Sequence, residues 1–223
     1  MRKIARSLLL ALLCALSACS VTYQFDPIEA WVVDAETGLP IEGAVVTANW
    51  ELVKGSLDGE RYHSQLEVRE TVTDRDGRFH FEGFSKVDKS GAELRESDPQ
   101  IIVFKPGYAY QRITSSYVDG GASMSMTRRL AAANGTRIKL RKQVVDTSKT
   151  PLTLYDGLRL YYKRIIDDCH WKSIPHAMVT MDREYKRAKA EHPTAYVDLV
   201  RSSTIESSSS KCGSADYLFK GKQ

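Results

Sequence analysis

The stretch Val68-Arg69-Glu70-Thr71-Val72-Thr73-Asp74-Arg75-Asp76-Gly77-Arg78-Phe79-His80-Phe81-Glu82 decides which fold to expect. Its two ends read as strands: Val68 to Thr73 is rich in β-branched residues, and Arg78 to Glu82 alternates polar and aromatic. That alternation puts Phe79 and Phe81 on one face. Between the runs, Gly77 supplies the positive φ of a tight turn, so the stretch is expected to form a β-hairpin. Asp74-x-Asp76-Gly77 also has the opening spacing of a calcium loop. Arg78 stands at the next ligand position, however, and Ser85 at that of the closing Glu, so turn chemistry accounts for the acidic pair.

Working outward, Ile28 to Val33 reads as a strand followed by turn residues from Asp34 to Pro40, and Ala44 to Trp50 as the next strand. Downstream, Gln100 to Phe104 has the character of a buried strand. Lys105-Pro106-Gly107-Tyr108 has the composition of a type II turn, from which Tyr108 to Thr114 can return. Asn134-Gly135 signals a turn before Thr136-Arg137-Ile138-Lys139-Leu140-Arg141, whose alternation gives one apolar and one basic face. Asn134-Gly135-Thr136 also fits a glycosylation sequon but is read as that turn. Residues 51–67 and 85–99 look like polar insertions. Six or seven short strands at this spacing predict an antiparallel β-sandwich.

Four pieces of this region, in order, carry a family resemblance. They are Asp34 with Thr37-Gly38-Leu39-Pro40; Glu42-Gly43-Ala44-Val45-Val46; Thr73-Asp74 through Gly77-Arg78-Phe79; and Lys105-Pro106-Gly107-Tyr108. Together they resemble the carboxypeptidase regulatory-like domain. That resemblance implies a seven-stranded, transthyretin-like sandwich over residues 27–145, in an accessory, scaffolding or ligand-contact role. No His is followed three residues later by Glu, so it brings no catalytic zinc domain with it.

Beyond about residue 145 the apolar period changes from two to three and four, which predicts a C-terminal helical segment over 146–223. Thr150-Pro151 reads as a helix start with Leu154, Leu158, Tyr161 and Ile165 as its stripe. A second helix is expected from Pro175 to just before Pro193, carrying Met178, Met181, Tyr185 and Ala188. The two can form an αα-hairpin. Tyr196 to Val200 reads as a strand and Ser207 to Ser210 as a loop.

At the other end, Arg2, Lys3 and Arg6 precede the apolar run Leu8 to Leu16, which is too short to span a bilayer. Leu16-Ser17-Ala18-Cys19 resembles the lipobox of bacterial lipoproteins. This implies that residues 1–18 are a signal peptide, that Cys19 is the lipidated N-terminus, and that residues 19–26 are a tether. Ser20 after the Cys implies the outer membrane of a Gram-negative envelope. Removing the signal leaves 29 Lys plus Arg against 28 Asp plus Glu, so the basic surplus that might have suggested nucleic acid disappears.

Cys169 and Cys212 then remain. In an oxidising compartment they are most economically read as one disulfide, the competing reading being a metal pair with His170 or His176. Two further patterns have a functional and a plainer reading. Lys163, Arg164, Arg183, Lys186, Arg187 and Lys189 could lie on anionic lipid or form a solvated helix face. Trp31, Trp50, Tyr108, Tyr110 and Tyr117 could form a glycan platform or fill the core. The expectation is a non-enzymatic cell-envelope lipoprotein acting as a binding or scaffolding module, with no catalytic residues, metal or cofactor. Its partners are the membrane, through the lipid anchor, and an envelope protein or glycan, with ligand-contact residues unassigned. The alternative is an envelope hydrolase or the accessory subunit of an envelope enzyme.

Overall fold

The computed structural model describes residues 20–95, 97–115, 128–129, 131–145, 152–207 and 209–219. Cys19 and the signal segment lie outside them, as do Tyr117, Thr150 and Pro151. In chain order the strands are β1 (Val21–Phe25), β2 (Ile28–Asp34), β3 (Val45–Ser56), β4 (Gly59–Val72), β5 (Arg78–Phe81), β6 (Phe84–Asp88), β7 (Glu93–Leu94), β8 (Gln100–Phe104), β9 (Gln111–Thr114), β10 (Arg128–Arg129) and β11 (Arg137–Leu140). Then come β12 (Thr153–Leu154), α1 (Leu158–Asp167), α2 (Pro175–Glu191), β13 (Tyr196–Val197), α3 (Ser202–Glu206), α4 (Ser209–Cys212) and α5 (Asp216–Phe219). The fold is mainly β. No described helix is long and apolar enough to cross a membrane.

Two sheets face each other. In the first, β1 and β2 continue one another across Asp26-Pro27, with β6 and β5 antiparallel on one side and β10 and β11 on the other. The second is antiparallel throughout, in the order β4-β3-β8-β9, with β7 also paired to β3. Between them lie Phe25, Ile28, Val32, Val46, Trp50, Phe79, Ile101, Ile138 and Leu140. Helices cover the outer face of the second sheet, where Val45, Val68, Ile102 and Phe104 meet Leu158, Tyr162, Ile165, Trp171, Met178 and Met181. Strand β3 is therefore buried on both faces, which is why Val45 to Val53 is buried without a break. A register shift where Trp50 faces Glu67 and Glu51 faces Gln65 lets Leu66 enter the inner core while Val68 points to the helices.

Polar contacts fix the helical layer in register. The Tyr162 hydroxyl donates to Thr47 Oγ1 at 3.0 Å, and Glu70 on β4 accepts the backbone N–H groups of His176 and Ala177 at 2.8 and 2.9 Å. Glu70 thus supplies from the sheet the N-terminal cap that Ile174 cannot. Burial raises its carboxyl despite these donors.

Several expectations are corrected. Thr73 to Gly77 is a crossing between sheets, not a hairpin: Thr73 exchanges hydrogen bonds with Ala44 and Gly43 on the second sheet, while the Gly77 carbonyl accepts from Val32 on the first. The arrangement is not purely antiparallel either, because β11 runs parallel to β2, with Arg137 opposite Trp31 and Leu140 opposite Asp34. Residues 51–67 are the arms of the long β3-β4 ribbon. The stretch 19–26 is not a free tether from Val21 on: the Val21-x-Tyr23-x-Phe25 alternation drives Tyr23 and Phe25 into the core. Finally, α1 begins at Leu158, seven residues past Pro151. Thr153-Leu154 pairs with Tyr196-Val197 instead, and Asp198 Oδ2 accepts from the Gly157 N–H at 2.9 Å where the helix starts.

Candidate binding surface

Strand β11 was expected to have one apolar and one basic face, and the sheet realises both. Ile138 and Leu140 enter the core, while Arg137, Lys139 and Arg141 are exposed. Because residues paired across a ladder share a face, the register aligns Arg137, Trp31 and Arg78 in one row across three strands of the first sheet's outer face. Trp50 and Trp171 are 1% and 0% exposed, fixing them as core, whereas Trp31 is only half-buried. Tyr108 and Tyr110 are half-buried as well.

At the end of β11 the two sheets are stitched together. Tyr108 and Lys142 form an antiparallel bridge, and the Ala109 and Gln143 N–H groups donate to Arg141 and Gly107 at 2.8 Å each. The Ala35 N–H donates to the Leu140 carbonyl at 2.8 Å, and the Tyr108 hydroxyl to Asp34 Oδ2 at 3.1 Å, so the β2 loop is held at the same corner. A cleft of about 510 Å³ results, with Ala35 and Ala109 among its lining beside Gln111, Lys139 and Arg141.

The charge of this surface is partly compensated: Arg78, in the Trp31 row, is paired with Glu29, which lies two residues before Trp31 on the same face. Some cations elsewhere have carboxylate partners, Lys86 with Glu67 and Lys186 with Asp182 at 2.7 Å each. Arg137, Lys139 and Arg141 have no such partner among the described residues. Three like charges at alternate positions of an edge strand discourage sheet-to-sheet pairing and leave a field that attracts anions.

Cys169, directly after α1, is disulfide-bonded to Cys212 on α4, with Cα atoms 5.2 Å apart. The two histidines weighed as metal ligands go separate ways. His176 Nδ1 lies 3.0 Å from Glu70 Oε1, while His170 is half-buried and its pKa is lowered by that burial. No group of three potential metal ligands occurs among the described residues. Asp74 Oδ1 accepts from the Asp76 and Arg78 N–H groups at 3.0 and 2.9 Å, the work of a turn. Of the basic helix residues, Lys163, Arg164, Lys186 and Arg187 are tied to Asp167, Glu51, Asp182 and Glu184 with Glu191.

Sequence reasoning missed a buried polar cluster where β3 meets β7 and β8. Glu51 is 4% exposed and pairs with Arg95 at 2.8 Å and Arg164 at 3.0 Å, while its N–H donates to Asp98, which is fully buried. Loss of solvation raises the Asp98 carboxyl to about 7, with the Glu51 charge adding to the effect and its N–H opposing it. The folded protein therefore holds a proton that the unfolded chain releases near pH 4. The resulting stabilisation is complete below that and is lost as pH rises through about 7, by up to about 4 kcal/mol at 1.36 kcal/mol per unit of pKa shift. Asp98→Asn is expected to flatten this decline: wild type loses urea-unfolding free energy between pH 5 and 8 and the variant loses less. Parallel profiles would show that another group titrates. Nothing local in Asp98-Pro99-Gln100 signals the burial, which comes from strands far away in sequence.

No family model and no curated protein matches the chain. Among solved structures, a Streptococcal ancillary pilin is 17% identical with a TM-score of 0.27, covering 53% of this chain and 29% of its own. The 3-chlorocatechol 1,2-dioxygenase of Rhodococcus opacus is 17% identical with a TM-score of 0.29, covering 57% of this chain and 62% of its own. The C-terminal domain of a shaft pilin from Lactobacillus rhamnosus GG is 14% identical with a TM-score of 0.24, covering 55% of this chain and 99% of its own. The chain thus spans less than two thirds of the first two, and all three TM-scores are too low to assign fold or function.

Proposed function

We propose that the chain is a non-enzymatic lipoprotein of a bacterial envelope, anchored at Cys19 in the outer membrane, whose sandwich presents a binding surface on its first sheet. Taking β1 with β2, β5 with β6 and β10 with β11 as three interrupted strands beside β4, β3, β8 and β9, and leaving out the two-residue β7, gives seven. This supports the transthyretin-like reading, with the helical segment as an added layer. The observation that carries the function is the row Arg137, Lys139 and Arg141, without a carboxylate partner among the described residues, beside half-buried Trp31, on a strand whose other face is core. Such a row adds nothing to packing and is suited to an anionic partner. The anchor reading rests on Leu16-Ser17-Ala18-Cys19, which stands two residues before the folded body at Val21. Two or three acyl chains, at about 0.8 kcal/mol per buried CH₂, would hold such a body on a membrane. Cys19→Ala is expected to abolish fatty-acid labelling, block processing and release the protein from the membrane fraction. Unchanged labelling and fractionation in that variant would refute the anchor.

A further inference from the structure

We infer that the basic face of the first sheet binds the acidic glycan of the cell wall, with Trp31 stacking on a sugar ring and Arg137, Lys139 and Arg141 pairing with the polymer's carboxylates. The inference rests on the reading of the chain as an envelope lipoprotein and adds the partner's chemistry.

Two features of the face select that chemistry. An indole half-buried on a sheet still offers part of a flat apolar surface with a polar edge, which suits the C–H face of a pyranose ring. Arg137 is directly opposite Trp31 in the ladder, and Lys139 and Arg141 continue the same face at intervals of two residues, about 7 Å apart along the strand. That spacing lets successive acidic groups of an extended polymer meet successive cations. Gln111, in the cleft beside Lys139 and Arg141, adds donors and an acceptor for hydroxyl and amide groups.

Position within the fold favours the wall over the lipid headgroups of the protein's own membrane. Strand β1 starts at Val21, next to the anchor, and β2 continues it; β11 runs parallel, with Lys139 opposite Val33. Twelve residue steps separate Val21 from Val33, so at ~3.3 Å per residue the cationic end lies roughly 40 Å from the anchored end. With the strands rising from the membrane, a lipid held at Cys19 therefore leaves the cationic end of the sheet clear of its bilayer.

The test is co-sedimentation of full-length mature protein, in mild detergent, with purified insoluble cell-wall sacculi. Wild type is expected to sediment, and less so as salt rises. Arg137→Glu/Lys139→Glu/Arg141→Glu should weaken binding by at least about tenfold, and Trp31→Ala by on the order of tenfold. Should the triple variant fail to fold, an arm with no variant remains: sacculi whose carboxylates have been amidated should no longer retain wild type. Equal retention by amidated sacculi, or unchanged binding by both variants, overturns the inference. A chain of residues 20–223, which carries neither acyl chains nor the signal segment, is tested in parallel on sacculi and on vesicles of phosphatidylcholine with 30% phosphatidylglycerol by design. Retention by those vesicles and not by sacculi overturns it in favour of a membrane partner. Sacculus binding by a chain that fatty-acid labelling shows to be unlipidated upholds the glycan site and refutes only the anchor.

Discussion

Gly77→Ala is expected to lower the unfolding free energy of the sandwich by about 3 to 5 kcal/mol, a large part of the roughly 5 to 15 kcal/mol that a domain has. Gly77 has φ +70°, where a Cβ alone costs roughly 1 to 2 kcal/mol. The added carbon would also lie 2.3 Å from the Val32 carbonyl oxygen and 3.1 Å from Ile41 N, both backbone atoms that cannot rotate away. Relieving the overlap means parting the crossing from β2. That strains two hydrogen bonds, Val32 N–H to the Gly77 carbonyl at 2.7 Å and Ile41 N–H to the Val32 carbonyl at 2.9 Å, each worth about 1 kcal/mol net. Gly38 is the control. Its φ is +71° and nothing lies within 4 Å of its ideal Cβ, so Gly38→Ala should cost only the conformational part. Urea-unfolding midpoints of the two variants measure the difference. Equal midpoints would show that the crossing yields without cost and that the close approach to β2 is unimportant.

The same residue shows what can be read from a sequence and what cannot. Gly after Asp-Arg-Asp announces a turn, and the turn is there; that its two arms join different sheets depends on Ala44, Gly43 and Val32, all more than 25 residues away. Strand β2 was legible from its short apolar, β-branched run and strand β11 from its apolar alternation, both local, and α2 because Pro175 opens it and Pro193 follows its end. The β3-β4 ribbon was not. Its outer arms, Lys54 to Arg61, are exposed and hold a single apolar residue, Leu57, so no apolar alternation marks the period. Strand β1 had the marks, in Tyr23 and Phe25, but proximity to an expected lipid anchor argued for a linker. For the binding surface, the basic face of β11 was readable from six residues. Its alignment with Trp31 was not, because parallel pairing between residues more than 100 positions apart has no local trace. The burial of Asp98 is likewise a tertiary fact.

Replacing both Cys169 and Cys212 by Ser is expected to destabilise the helical layer by about 4 kcal/mol, the chain-entropy value for a bridge spanning 43 residues. The loosening should be narrower than a wholesale release of everything past Pro193. Leu199, Val200 and Ile205 are fully buried in the cluster shared by α1, α2 and the second sheet, and Asp182 Oδ1 accepts from the Ser202 N–H at 2.8 Å. Those residues have their own reasons to stay. From Ser207 on, the ties are fewer: Lys211 donates to the Asp167 carbonyl at 3.0 Å, and Tyr217 lies against Trp171 while remaining 61% exposed. Hydrogen exchange in the double Ser variant should therefore accelerate most over the segment from Ser207 to Phe219. Less acceleration is expected over Val197 to Ile205, and none in β3 and β8, whose hydrogen bonds lie within the second sheet. Fast exchange spreading through β3 would mean that the bridge holds the helical layer onto the sheet. An unchanged pattern, with an unchanged unfolding midpoint, would mean that Trp171, Ile205 and Ala215 already hold the C-terminal helices without it.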